Sequence, residues 1–217
     1  RLPNDQSGKG PLSDLSIYSY QPKAHSAAEV VSGNARFTVL TDNVIRLEYS
    51  SSTPAMFEDR ATLMAVNRAL PVPSFTQSTS GNTLTIATSR LTLTYEVGTA
   101  FSYNTLSIVT KDGNTWRYGD VDSANLLGTI KSLDELCTIS LDCQQNSNTI
   151  IHNEQLHCAY GVVSRGGWTI VNDTMNFILS NDHWFSNTLR STTLSDDLYF
   201  FGHGTQYRQA LKDYIGI

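Results

Sequence analysis

Arg36-Phe-Thr-Val-Leu-Thr41, then Asp42-Asn43, then Val44-Ile-Arg-Leu-Glu-Tyr49, is the stretch on which the fold turns. β-Branched and aromatic residues recur with period two on both arms, and two turn-forming residues stand between them. That pattern predicts an antiparallel hairpin. It returns in Asn82-Thr-Leu-Thr-Ile-Ala-Thr88 and Arg90-Leu-Thr-Leu-Thr-Tyr-Glu-Val97, where Thr and Leu alternate so that one face is apolar and the other hydroxylated. Leu106-Ser-Ile-Val109 and Thr115-Trp-Arg-Tyr118, joined through Lys111-Asp-Gly-Asn114, give a third hairpin.

Farther along, strands are expected over 160–164 and 168–171, divided by Arg165-Gly-Gly167, and then over 176–180 and 197–201. Many short strands with turn signals between them predict an all-β chain, an antiparallel sandwich or barrel. One segment has helical period: in Gln206-Tyr-Arg-Gln-Ala-Leu-Lys-Asp-Tyr-Ile215, Tyr207, Ala210, Leu211 and Tyr214 share a face. Leu2–Ser13 carries Pro, Gly, Asn and Asp without period and reads as a mobile arm. The expected division is an arm over 1–14, one domain over 15–204, and the beginning of a helix over 205–217.

The composition narrows the function. The 217 residues carry 15 basic and 20 acidic side chains, a net charge of −5. Nucleic-acid binding calls for a basic patch, so that class is excluded as an expectation. Only 16% of residues are charged, against about 25% in an ordinary soluble domain. There are 24 Ser and 24 Thr, a surface of hydroxyls that suits a secreted β-protein. No apolar run approaches the roughly 18 residues of a membrane-spanning helix. The chain opens on Arg1 with no leader before it, as expected of a processed secreted protein, and its helical last segment reads as the start of something longer.

Three cysteines, Cys137, Cys143 and Cys158, leave one over if a disulfide forms. Thr138–Asp142 and Ala159–Ser164 alternate like neighbouring strands, which makes Cys143–Cys158 the preferred pair. Closing that loop contributes about 3 kcal/mol by chain entropy. Cys137–Cys143 is the rival pairing.

Candidate chemistry is sparse. Glu58-Asp59, Asp134-Glu135 and Asp196-Asp197 are adjacent acids, which on a strand point to opposite faces, and they read as solvated turns and strand ends. His152, His157 and Cys158 lack the ligand spacing of a zinc site, so no metal and no cofactor is expected. Gly202-His-Gly204 reads as a tight turn into the last helix. No Gly-x-Ser-x-Gly elbow occurs. Asn172-Asp-Thr174 is the sole glycosylation sequon; in a secreted eukaryotic chain it predicts a glycan at Asn172 and a surface turn. The 13 Tyr and Trp residues are expected chiefly in the core.

Five segments, in order, resemble the amino-terminal domain of glycoside hydrolase family 31. They are Arg36–Tyr49; Phe57-Glu-Asp-Arg-Ala-Thr62 with Val66-Asn-Arg-Ala-Leu-Pro-Val-Pro73; Asn125-Leu-Leu-Gly-Thr-Ile-Lys-Ser-Leu-Asp134; Gly161-Val-Val-Ser-Arg-Gly-Gly-Trp168 with Asn172-Asp-Thr174; and Asp197–Tyr214. The resemblance runs from about Arg36 to Ile217. It implies a β-sandwich of the galactose-mutarotase type, with a C-terminal helix leading towards a (β/α)8 barrel that is not in this chain.

It also implies a retaining exo-α-glycosidase, an α-glucosidase acting on terminal α-linked glucose of oligosaccharides. Both catalytic aspartates of that family lie on the barrel, so neither maps onto a residue here. A separate or missing barrel portion would be the partner, and Tyr207, Leu211 and Tyr214 would lie half-buried against it. Lys131, Ser132 and Asp134 become the residues expected beside the substrate pocket. Two other classes stand against this one. A stand-alone carbohydrate-binding sandwich predicts an exposed aromatic platform. A mutarotase-like enzyme needs a His and a Glu in one cleft, with His25, His152, His157, His183 and His203 as its histidines.

Overall fold

The computed structural model describes residues 20–126, 150–151, 154–155, 160–180, 185–186, 188 and 190–217. Strands β1 (Glu29–Ser32), β2 (Ala35–Thr41) and β3 (Val44–Ser50) form part of one sheet. The other sheet takes β4 (Thr76–Ser80), β5 (Thr83–Ala87), β6 (Leu91–Glu96), β7 (Leu106–Thr110) and β8 (Thr115–Arg117) as a meander in chain order. A short pair, β9 (Ile150–Ile151) and β10 (Glu154–Gln155), stands apart. The first sheet is completed by β11 (Thr169–Asn172) and β12 (Leu194–Phe201), in the order β1-β2-β3-β12-β11. All described strand pairs are antiparallel. Among the described residues the fold is an all-β sandwich followed by one α-helix, α1 (Tyr207–Gly216).

The predicted hairpins stand where the period placed them. Asp42-Asn43 turns β2 into β3, with the Asn43 N–H donating to Thr41 Oγ1 at 3.1 Å. Period two then sorts the side chains. Phe37, Val39, Ile45, Leu47, Leu198 and Phe200 point from the first sheet into a shared core, where they meet Leu84, Ile86, Leu91, Leu93, Tyr95, Leu106, Ile108 and Trp116 from the second. The opposite face of the second sheet is hydroxylated and open, which is why Thr and Leu alternate there.

The central strands of the first sheet, β2, β3 and β12, are buried on both faces. The sheet's other side carries Arg36, Thr38, Leu40, Val44, Arg46, Glu48, Tyr199 and Phe201, all buried. Helix α1 covers the apolar part of it. Ala210 is buried there, and Tyr207, Leu211 and Tyr214 pack against Leu40, Val44, Val162, Val171 and Phe201. The helix face expected to lie half-buried against a partner packs, half-buried, on the chain's own sheet. Asp213 fastens it: its carboxylate accepts from Thr41 Oγ1 at 3.1 Å and from Gln209 Nε2 at 2.6 Å, and lies 2.9 Å from His203 Nε2.

Two expected strands are not strands. Residue 164 makes a single bridge to Asn125, because the Asn125 side chain takes the place of a ladder: its amide accepts from Gly161 N at 2.7 Å and donates to Gly161 O at 3.0 Å. Residues 176–180 likewise make single bridges, with Leu63 N and Leu179 N bonded across to Phe177 O and Ala61 O of irregular backbone. Conversely, β1 and β4 went unread; Thr76-Gln-Ser-Thr-Ser80 is exposed throughout, so it has no apolar period to detect.

Gly167 shows why the Arg165-Gly-Gly167 turn needs glycine. Its φ is +81°, and a Cβ there would stand 2.5 Å from Asn114 Nδ2 of the β7–β8 turn. Left-handed strain and the clash act together. Gly167→Ala is expected to cost about 1–3 kcal/mol in denaturant unfolding, whereas Gly33→Ala, at φ +60° with open space around it, carries only the backbone part.

Candidate functional site

The charged residues on the covered face of the first sheet form one array. Arg46 grips Asp197 with a two-pronged fork, Nε to Oδ1 and Nη2 to Oδ2, both at 2.7 Å. Arg36 grips Glu48 in the same way at 2.7 and 3.0 Å. Arg46 Nη2 lies 3.2 Å from Glu48 and links the two forks. Arg190 bonds Asp197 from the other side and lies 3.6 Å from Asp173, as does Arg68. Arg68 Nε also donates to the Tyr199 hydroxyl at 2.6 Å.

The array ties irregular segments onto the sheet. Arg46 donates to the Glu58 carbonyl at 2.8 Å, and Glu48 accepts from the Glu58 N–H at 3.2 Å. Asp59 pairs with Arg36 at 2.8 Å, and the Arg36 guanidinium lies 4.8 Å from the Phe57 ring centroid. Asp173 accepts from Thr62 Oγ1 at 2.8 Å and Asn176 Nδ2 at 2.7 Å. Thr174 Oγ1 accepts from the Asp197 N–H at 2.9 Å. Planar arginine forks are the residues for this work, since each satisfies both carboxylate oxygens at once.

Electrostatics follow from burial and pairing. Burial pushes Asp197 up, but Arg46, then Arg68 and Arg190, outweigh it and hold the carboxyl below the ordinary Asp value. Asp173, buried beside that ionised neighbour, is pushed up. On the opposite face of β12, Asp196 accepts from the Tyr118 hydroxyl at 2.8 Å, and burial with that bond raises Tyr118 to about 12. Asp196 and Asp197 point to opposite faces as expected of neighbours on a strand. Asp197 and Glu58 are not solvated, though: Asp197 is 0% exposed and Glu58 5%. The reason is that other segments of the chain cover the centre of the first sheet on both faces.

This arrangement holds rather than reacts. Neither Asp173 nor Asp197 has any exposed surface, so no substrate reaches them. Two hollows formed by described residues carry no carboxylate. One is a void of about 10 Å³, room for a single water, lined by Ser164, Trp168, His203 and Tyr207 among others. The other is an open hollow along the first turns of α1 beside Gln206, Arg208 and Lys212. Among the described residues no three His, Cys, Asp or Glu side chains group as metal ligands. No helix among them is long and apolar enough to cross a membrane.

Of the residues singled out in the sequence, Lys131, Ser132, Asp134, Cys137, Cys143, Cys158, His152, His157 and His183 lie outside the described residues. Asn172 is exposed at the end of β11. His25 is exposed beside a short 3-10 turn, and His203 is buried against Asp213, so neither sits with a Glu. Gly202-His-Gly204 forms the turn into α1, with Gly204 at φ +57°. The stretch carrying Lys131 departs from a firmly built base. Asn125 Nδ2 donates to Asp122 at 2.8 Å and Thr169 Oγ1 at 3.0 Å as well as to Gly161 O, and Leu126 N donates to Val163 O at 2.9 Å.

The array escaped the sequence reading because Arg46 and Asp197 are 151 residues apart. A signal was present: Arg46 and Glu48 interrupt the apolar run Val44-Ile-Arg-Leu-Glu-Tyr49. Charges in strands whose neighbours are apolar mark a second buried face.

Compared with known proteins, the chain matches no family model and no curated sequence. Among solved structures it is similar to the GH31 dextranase of Flavobacterium johnsoniae complexed with glucose. The identity is 14% and the TM-score 0.48, over 91% of this chain and 28% of that one. A variant of that enzyme complexed with isomaltotriose gives the same values. The GH31 α-xylosidase of Xanthomonas citri is similar over 42% of this chain and 10% of its own, at 17% identity and a TM-score of 0.33. The chain spans less than a third of the length of any of these enzymes, all of which are glycosidases of the family that the sequence motifs resemble.

Proposed function

We propose that this chain is the non-catalytic β-sandwich part of a secreted, retaining exo-α-glycosidase, an α-glucosidase acting on terminal α-linked glucose of oligosaccharides. One observation carries the reading. Four of the five segments that resemble family 31, far apart in sequence, converge on the buried array: Arg36, Arg46 and Glu48, then Glu58 and Asp59 with Arg68, then Asp173, then Asp197 and Tyr199. What they share is therefore a scaffold in which every such carboxylate is already engaged. Proton transfer and nucleophilic attack fall to a barrel portion, whose two carboxylates would stand about 5–5.5 Å apart.

The sandwich contributes rigidity and the anchored base at Asn125, and the stretch that follows it in sequence carries Lys131, Ser132 and Asp134, the residues assigned to the substrate pocket. A permanent, apolar interface would keep the two portions together.

Denaturing and native mass analysis of material purified from its source, with an α-glucosidase assay, tests this. The expected result is activity in a species that contains a barrel portion, in the same polypeptide or beside it, and none from the isolated 24.0 kDa chain. A native species of that chain alone, folded and inactive, overturns it in favour of the stand-alone carbohydrate-binding sandwich.

A further inference from the structure

We propose that Asn172 carries an N-linked glycan, and that this glycan covers the outer edge of β11 together with Met175 and Phe177. The site part rests on the secreted reading above, because the modifying machinery acts in the secretory pathway. Asn172 ends β11, the outermost strand of the first sheet among the described residues, and no described strand pairs with the outer side of its backbone. An open strand edge beside apolar side chains is an aggregation hazard that native proteins cover or blunt. Here the neighbours are Met175, 90% exposed, and Phe177, 67% exposed, with the Phe177 ring 5.4 Å from that of Phe185. Charged residues, the usual protection, are absent from Thr169–Asn172.

Local geometry presents the right atom. Asn172 Oδ1 accepts from the Thr174 N–H at 2.9 Å, which closes a turn and leaves Nδ2 with no hydrogen-bond partner among the described residues. The middle residue of the sequon is turned the other way: Asp173 is fully buried in the arginine array. The sequon thus combines a rigid anchor with an outward amide. In the reaction, a lipid diphosphate-linked oligosaccharide is the donor. The bond from sugar C1 to the diphosphate oxygen breaks, the bond from C1 to Asn172 Nδ2 forms, the lipid diphosphate leaves as an anion, and one Nδ2 proton passes to a base of the transferring enzyme.

The experiment expresses the full chain behind a secretory leader in a eukaryotic host and reads the intact mass of the folded fraction. Expected is a mass above 24.0 kDa that falls back on treatment with peptide N-glycosidase, with Asn172 converted to Asp. Asn172→Gln should abolish the excess and Thr174→Ser, which keeps the sequon, should retain it. A folded chain of unmodified mass overturns the site. Light scattering then reads the shielding: the deglycosylated chain should associate at concentrations where the glycosylated chain stays monomeric, and identical behaviour overturns that half. A bare Asn172 on protein from the natural source overturns the glycan in the native protein even if the host modifies it, whereas the α-glucosidase assay and mass analysis above read the proposed function independently.

Discussion

Asp197→Ala is expected to destabilise the chain by about 3–5 kcal/mol, the cost of breaking a buried ion pair from one side. The substitution leaves Arg46, fully buried, with only Glu48 and a carbonyl, and it strips Arg190 of its closest carboxylate. A cycle separates the pair from its surroundings. Arg46→Met combined with Asp197→Leu removes both charges at similar volume, so it should recover the part of the loss that comes from the unpaired Arg46, while the part from Arg190 remains.

Acid titration gives an independent readout. The folded pKa of Asp197 lies below its unfolded value near 4, so its contribution is complete above about pH 4 and is lost as the pH falls through the folded pKa. Asp213, Glu58 and Asp59 are lowered too and act in the same direction. Asp197→Asn should therefore flatten the acid limb of the stability curve. An Asp197→Ala variant within about 0.5 kcal/mol of the parent, the range of ordinary surface changes, would show that the array does not hold the covering segments.

The sandwich was legible where one face of a strand meets water. Leu91, Leu93 and Tyr95 alternate with Thr92, Thr94 and Glu96, and the structure buries the first set against Ile86 and Ile108 while leaving the second open. The hairpin of β2 and β3 was legible for another reason: its turn at Asp42-Asn43 punctuates two β-branched arms. Its second buried face was not, because burial there depends on Ala65, Val162 and Ala210, which come from three distant parts of the chain. Local sequence has no record of such a lid. The same fact hid the array, and it explains why adjacent acids that look like solvated strand ends turn out to be interior anchors. Polar edge strands such as β4 fail in the opposite way, having no buried face at all.

Phe37→Ala should cost about 3–5 kcal/mol, comparable with the loss of Asp197 but through a different mechanism. Phe37 is 0% exposed at the centre of the inter-sheet core, and its ring stands 5.2 Å from Tyr95 and 5.9 Å from Phe101 of the facing sheet and its following loop. Truncation removes both the transfer energy of the ring and its contacts, and the close-packed neighbours relax only in part. Phe177→Ala deletes the same ring from an exposed position and should stay within about 0.5 kcal/mol. Trp116, buried 5.6 Å from Phe200, is placed to report the unfolding by fluorescence. The comparison discriminates between two ways of holding this chain together. If Phe37→Ala proved as mild as Phe177→Ala while Asp197→Ala unfolded the protein, the covered face would organise the fold and the second sheet would be an appendage. The expected outcome, two large and independent losses, follows from Phe37 and Arg36 being neighbours on one strand that point to opposite buried faces. The first sheet is then the shared wall of two cores, so a loss on either face is felt through the same strands.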